Sequence, residues 1–176
     1  MAWTTPGTAV AGAVLEASFW NSNVRDNTNA LYDSIRRLGF EQRTSNYSIS
    51  STTVAGAADV FTDVTWTADG TSAYRIEAYF PFVESAQAAN AFVEVWLVNG
   101  SGTGLGRLAY VGYADGTRSA AQGAVNPSYF YTPAAGSTSI NIRIINFGGT
   151  GNASAGAGGA AANVPAFLAV YGPALT

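Results

Sequence analysis

From Glu41 onward the chain keeps a two-residue hydrophobic rhythm. In Ala73–Val83, Tyr74, Ile76, Ala78, Phe80 and Phe82 fall on one side of the repeat, and Arg75, Glu77 and Tyr79 on the other. Ala91–Val98 repeats it, with Val93, Val95 and Leu97 opposed by Phe92, Glu94 and Trp96. Ile140, Ile142 and Ile144 alternate with Asn141, Arg143 and Ile145. Only a pleated strand sends successive side chains to opposite faces, so this spacing excludes helix. Further strands are predicted at Asn46–Thr52, Val60–Trp66, Leu105–Tyr113, Ser128–Thr132 and Ala166–Tyr171. Asp69-Gly70, Asn99-Gly100 and Asp115-Gly116 supply turn dipeptides between them. Short strands with regular turn signals predict a mainly β fold, an antiparallel jelly-roll-like β-sandwich over residues 41–176.

Several of these strands are apolar on both faces. Phe92, Trp96, Tyr110, Tyr113 and the run Tyr129-Phe130-Tyr131 exceed what one small sandwich core absorbs. Single exposed aromatics are ordinary. Clustered ones imply a second buried surface, and hence subunit contact.

Ahead of the strands, Met1–Val14 has no periodicity and reads as an extended arm, either frayed or docked through Trp3. Leu15–Phe40 carries the helical pattern. Val24, Leu31 and Leu38 recur every seven residues, and Asn21, Thr28 and Ile35 take the complementary heptad position. Asp33 is spaced to reach Arg36 and Arg37, and Gly39 is placed to end the helix. Either the helix packs on its own domain, or Val24, Thr28, Leu31, Ile35 and Leu38 form an oligomer interface between copies. The second reading is preferred, because only strands follow the helix. So short a seam does not hold helices together unaided, and the β region has to supply most of the association energy. Near the other end, Gly148–Asn163 is nearly devoid of side-chain bulk, as a flexible loop or a closely packed backbone segment would be.

Composition narrows the chemistry. The 176 residues contain no cysteine and no histidine, all 8 basic residues are arginine, and the net charge is −3. Thiolate, imidazole and lysine chemistry are therefore excluded within the chain, together with disulfides and Cys- or His-ligated metals. A binder of nucleic-acid phosphates would need a basic patch, so no nucleic-acid partner is expected. No apolar stretch is long enough to predict a membrane span, and Arg25 is the first basic residue, which leaves the apolar start without the positive region of a secretory signal.

An enzyme built from this inventory would run on carboxylates alone. Glu77 and Glu94 are the candidate pair for a glycan hydrolase, although Arg75 and Arg143 offer them plain ion pairs. Asp59, Asp63 and Asp69 lack the spacing of a calcium loop. The run Gly100–Gly106 leads from strand to strand, so it reads as a hairpin and not as a phosphate cradle. No catalytic residue, cofactor or metal is expected.

The N-terminal segment resembles a known group. Trp3-Thr4-Thr5-Pro6, Gly12, Ala17, Asn21, Val24-Arg25-Asp26-Asn27 and Leu31 are similar to the opening of small virion structural proteins of tailed bacteriophages. Glu16 departs from that pattern where a capping Thr is common, but a carboxylate at a helix start is favourable through the dipole. The closing Pro165-Ala166-Phe167-Leu168-Ala169-Val170-Tyr171 resembles the end of trimeric jelly rolls of the tumour-necrosis-factor or C1q type. The resemblance implies a homotrimeric, non-enzymatic capsid decoration or head-fibre protein on the virion exterior. Its partners would be copies of itself and a capsid or tail protein. Trp3, Pro6, Trp20, Asn21, Arg25, Asp26 and Asn27 would anchor it. A tail-fibre protein is the alternative, with Tyr110, Tyr113, Tyr129 and Tyr131 stacking on host-surface carbohydrate.

Overall fold

A computed structural model describes residues 16–85, 91–112, 122–147, 153–156 and 165–173. A helical segment comes first, as α1 (Ala17–Trp20), a π-helical stretch (Asn21–Asp26) and α2 (Asn27–Ile35). Among the described residues eleven strands follow: β1 (Arg37–Arg43), β2 (Tyr47–Ile49), β3 (Val64–Ala68), β4 (Tyr74–Glu84), β5 (Phe92–Asn99), β6 (Gly104–Gly112), β7 (Gln122–Val125), β8 (Ser128–Tyr131), β9 (Gly136–Phe147), β10 (Ala153–Gly156) and β11 (Ala166–Pro173).

They form two antiparallel sheets. The first is built along β4, whose N-terminal half lies between β11 and β8 and whose C-terminal half lies between β10 and β7; β1 extends it beyond β11, and β2 beyond β10. The second has the order β3-β9-β5-β6. Most neighbours are distant in sequence because the chain crosses repeatedly between the layers, as in a jelly roll. The expected mainly β sandwich is what forms.

Alternation explains the core. Ile76, Ala78 and Phe80 on β4, Leu168 and Val170 on β11, Val93, Val95 and Leu97 on β5, and Ile140, Ile142 and Ile144 on β9 all turn inward and are buried. Burying one such aliphatic side chain contributes about 1.5–3 kcal/mol, and this shared face fixes the register of the two sheets. The phase slips once. Phe82, expected inside, is only half-buried, while Val83 is fully buried. The pairing of β4 with β7 jumps between Phe80 and Val83, a bulge that turns the following side chains over.

The helix is shorter than its heptads suggest. It ends at Ile35, and Arg36 is already extended. Leu38 and Gly39, read as the end of the helix, belong to β1, whose ladder with β11 pairs Gly39 with Val170. Leu38 is the extra residue of a bulge in that ladder and packs on the core. Strand pairing to a segment near the far end of the sequence overrides the helical spacing.

The strand expected at Val60–Trp66 begins only at Val64. Before it, the buried Asn141 side chain takes the place of a ladder partner. Its Oδ1 accepts from the Phe61 N–H (3.1 Å), and its Nδ2 donates to the Phe61 carbonyl (2.7 Å) and to Asp63 Oδ1 (2.8 Å). Of the Gly148–Asn163 run, Ala153–Gly156 forms β10 between β4 and β2, and the rest lies outside the described residues. No helix among the described residues is long and apolar enough to cross a membrane.

Candidate interaction surfaces

The helix turns its apolar stripe to solvent. Trp20, Val24, Leu31 and Ile35 are between 45 and 64% exposed, and Tyr32 is 61% exposed. Asn27 and Ala30, on the same helix, are buried. Contact with the sandwich is concentrated at β11. The Gly172 N–H donates to the Arg36 carbonyl at 2.8 Å, and a Cβ on Gly172 would overlap the Asp33 carbonyl. A small residue is therefore required where helix and strand backbones meet.

This separates the expected interface residues. Val24, Thr28, Leu31 and Ile35 are exposed on the helix; Leu38 is not on it and packs on the sandwich core. The expected anchors separate as well. Trp3 and Pro6 lie outside the described residues. Trp20, Asn21 and Arg25 are exposed, and Arg25 pairs with the partly exposed Asp26 at 3.0 Å. Asn27, like Ala30, is buried and so is not among the exposed residues of the helix. Asp33 meets Arg36 at 3.9 Å, whereas Arg37 lies over the Phe40 ring at 4.3 Å.

A second apolar surface covers the outer face of the first sheet. The outward residues of its strands put Phe40, Phe167, Tyr171, Tyr79 and Phe130 on one side. Phe167 lies 5.9 Å from Phe40 and 5.8 Å from Tyr79, centroid to centroid. Arg75 covers Tyr171 at 4.6 Å and pairs with Glu77 at 3.3 Å. Among these neighbours Ala169 is fully buried although its position faces outward. Of the surplus aromatics expected from the sequence, Phe130 lies on this surface; Phe40 and Phe167 join it because the helical pattern gives way to β1 before Phe40.

The outer face of the second sheet is tied by polar contacts. Glu94, nearly buried, accepts from Arg107 Nη1 (2.5 Å) and Trp96 Nε1 (2.7 Å). Arg143 donates to Asp59 Oδ1 (2.7 Å) and to the carbonyls of Val54 (3.1 Å) and Gly102 (3.3 Å). Beside the Glu94 pair, the half-exposed Tyr110 packs on Phe92 at 4.6 Å.

The expected tyrosine platform does not assemble. Tyr129 and Tyr131 belong to β8 of the first sheet and turn inward onto the core, leaving Phe130 outside. Tyr110 lies on the other sheet, and Tyr113 is outside the described residues. Adjacent residues of a strand face opposite ways, so Tyr129-Phe130-Tyr131 never presents three rings to one side. The carboxylate pair separates too. Glu77 and Glu94 lie on different sheets, each on an outward face, so they stand on opposite sides of the sandwich and share no substrate site. Arg107, not Arg143, is the partner of Glu94.

The three aspartates have structural partners. Asp59 pairs with Arg143, Asp63 accepts from Asn141, and Asp69 closes its own turn. Asp69 accepts from the Ser72 hydroxyl and from the backbone N–H groups of Ser72 and Thr71, which pull its carboxyl down to about 2. Among the described residues no group of three or more metal-ligating side chains forms.

No family model matches this sequence, and no curated protein is significantly similar to it. Among solved structures the chain is similar to the Eiger TNF of S. frugiperda, at 10% identity and a TM-score of 0.43, over 80% of this chain and 94% of that one. It is also similar to the VP2 subviral particle of infectious bursal disease virus, at 17% identity and a TM-score of 0.37, over 82% of this chain. The match spans only 38% of that viral chain.

Proposed function

We propose that this chain is a non-enzymatic structural protein of a tailed-phage particle. It acts as a homotrimeric capsid decoration or head-fibre protein, docked on the shell by its N-terminal arm and helix with the β heads projecting. One observation carries the reading: a well-packed sandwich leaves a helical stripe and an aromatic sheet face open to water. Monomers rarely expose contiguous apolar patches beyond a few hundred Å². The helix stripe suits three-fold packing along a short seam, and the sheet face supplies the larger area that so few heptads need. The Trp3–Pro6 and Val24–Asn27 motifs add the resemblance to virion proteins, and the net charge of −3 favours a protein partner over nucleic acid. The test is cryo-electron microscopy of particles carrying a tagged copy. Density on the capsid surface with three-fold symmetry supports the reading. A label confined to the tail, or none on purified particles, overturns it.

A second reading has its own observation. Tyr110, held by Phe92 next to the Arg107–Glu94 pair, is an exposed ring with polar neighbours, the combination that stacks on sugars. A tail-fibre protein using this face would bind host cells. Replacing Tyr110 with Ala would abolish that binding, while unchanged binding would remove the reading.

A further inference from the structure

At one end of the sandwich the β5–β6 turn, the β8–β9 connection and the start of β9 enclose an open cleft of about 320 Å³. Ligand pockets run from about 300 to 1,000 Å³, so this one has room for a single small unit. Its polar wall comes from Asn99, Ser101, Ser137, Thr138 and Ser139, and Tyr131 supplies an aromatic side. No charged side chain lines it.

The turn is built rigidly. The Asn99 carbonyl accepts from the Gly102 N–H (2.8 Å), and Asn99 Oδ1 accepts from the Thr103 N–H (2.8 Å) and the Ser101 hydroxyl (2.7 Å). The Gly100 N–H donates to the Ser139 carbonyl at 2.9 Å, which locks the turn to β9. Gly100 is needed there, because a Cβ would overlap Ser139 Oγ. That is the physical content of the Gly100–Gly106 run: close approach of two backbones at the floor of the cleft.

Among the described residues the hydroxyls of Tyr131, Ser137, Thr138 and Ser139 have no hydrogen-bond partner, while the neighbouring Asn99 and Ser101 are engaged in holding the turn. Each free hydroxyl offers one donor and two acceptors. Such a set is matched to a ligand that also presents several hydroxyls, each both donor and acceptor. Two charges flank the turn: Asp63, whose Oδ2 lies beside the Gly100 Cβ position and whose Oδ1 is held by Asn141, and Arg143, which is engaged by Asp59 and the carbonyls of Val54 and Gly102. With Arg143 already paired to Asp59, the Asp63 carboxylate beside Gly100 disfavours an anionic ligand.

We propose that this cleft is a binding subsite for one neutral saccharide residue, with Thr138, Ser139 and the Tyr131 hydroxyl bonding its hydroxyls and the Tyr131 ring bordering its carbon skeleton. The site uses neither Tyr110 nor any side chain of the two apolar surfaces, so it stands or falls separately from self-association and from the tail-fibre reading.

The experiment uses the full chain and two-dimensional amide NMR. The probes are methyl α-glycosides of glucose, galactose and mannose, N-acetylglucosamine, and glucose 6-phosphate. Saturable shifts confined to Asn99–Gly102 and Tyr131–Ser139 are expected with at least one neutral sugar. Glucose 6-phosphate and the Thr138→Val/Ser139→Ala double variant should each bind at least about tenfold more weakly, or about 1.4 kcal/mol. Tyr131→Phe, which removes a single oxygen, gives the same direction should the double variant not fold. Absence of cleft shifts with every neutral sugar overturns the proposal, as does equal binding of the phosphate or undiminished binding by folded variants. Sedimentation of the same samples reports self-association independently, so failure of one does not pass for failure of the other.

Discussion

The sandwich interior and the helix are built from the same kinds of side chain and treat them in opposite ways. Leu168 and Ile142 are fully buried between the sheets, whereas Leu31 and Ile35 on the helix are half or more exposed. The interior stabilises itself from one chain. The helix rests on β11 through backbone contact at Gly172, with its apolar stripe facing away. The stripe itself therefore contributes little to the isolated fold, and it has energy to release only when something covers it.

That contrast can be broken at several points. The largest effect is expected in the interior, where Leu168→Ala should cost about 2–5 kcal/mol through lost burial and a cavity, read from the denaturant midpoint. Gly172→Val drives a side chain into the Asp33 carbonyl. It should cost about 1–3 kcal/mol by overpacking and reduce far-ultraviolet helix signal while the β spectrum persists.

Leu31→Ser with Ile35→Ser should change the stability of the isolated fold by no more than about 0.5 kcal/mol per site, since both are exposed in the single chain. The same pair should raise the concentration needed for self-association, measured by sedimentation. A large loss of stability at dilutions where only single chains exist would mean that the helix is already packed. The smallest effect belongs to Asp69, at the exposed turn between β3 and β4. Its folded carboxyl is depressed to about 2, so its contribution is present above its ordinary pKa and fades as pH falls through about 2. Asp69→Ala should melt slightly below the parent at neutral pH, and the gap should close between about pH 4 and pH 2.

The sandwich was largely legible because its strands obey a period of two that nothing local contradicts, as in Tyr74–Phe80 and Val93–Leu97. What was not legible is decided by partners far along the chain. Leu38 continues a helical heptad in sequence but is claimed by β11, and Gly39 looks like a helix stop until it pairs with Val170. Phe82 follows the alternation on paper and leaves it at a bulge. β7 and β10, with sequences such as Gln122-Gly123-Ala124-Val125 and Ala153-Ser154-Ala155-Gly156, carry no pattern and become strands because β4 is long enough to pair with them.

The candidate surfaces divide in the same way. The helical residues Val24, Leu31 and Ile35 were found from their spacing. The ring group of Phe40, Phe167 and Tyr79 was not, because it needs three strands drawn from opposite ends of the sequence. A run of aromatics gives no sign of which alternate faces the core, so the sequence alone does not show that Tyr129 and Tyr131 turn inward.

Sedimentation equilibrium of the purified chain at micromolar concentration tests the central claim most directly. Burial of the helix stripe and the aromatic sheet face between copies should give a mass three times that of the 18.1 kDa chain, falling in the Leu31→Ser/Ile35→Ser variant. A single species of 18.1 kDa at every concentration, unchanged by those substitutions, would contradict it.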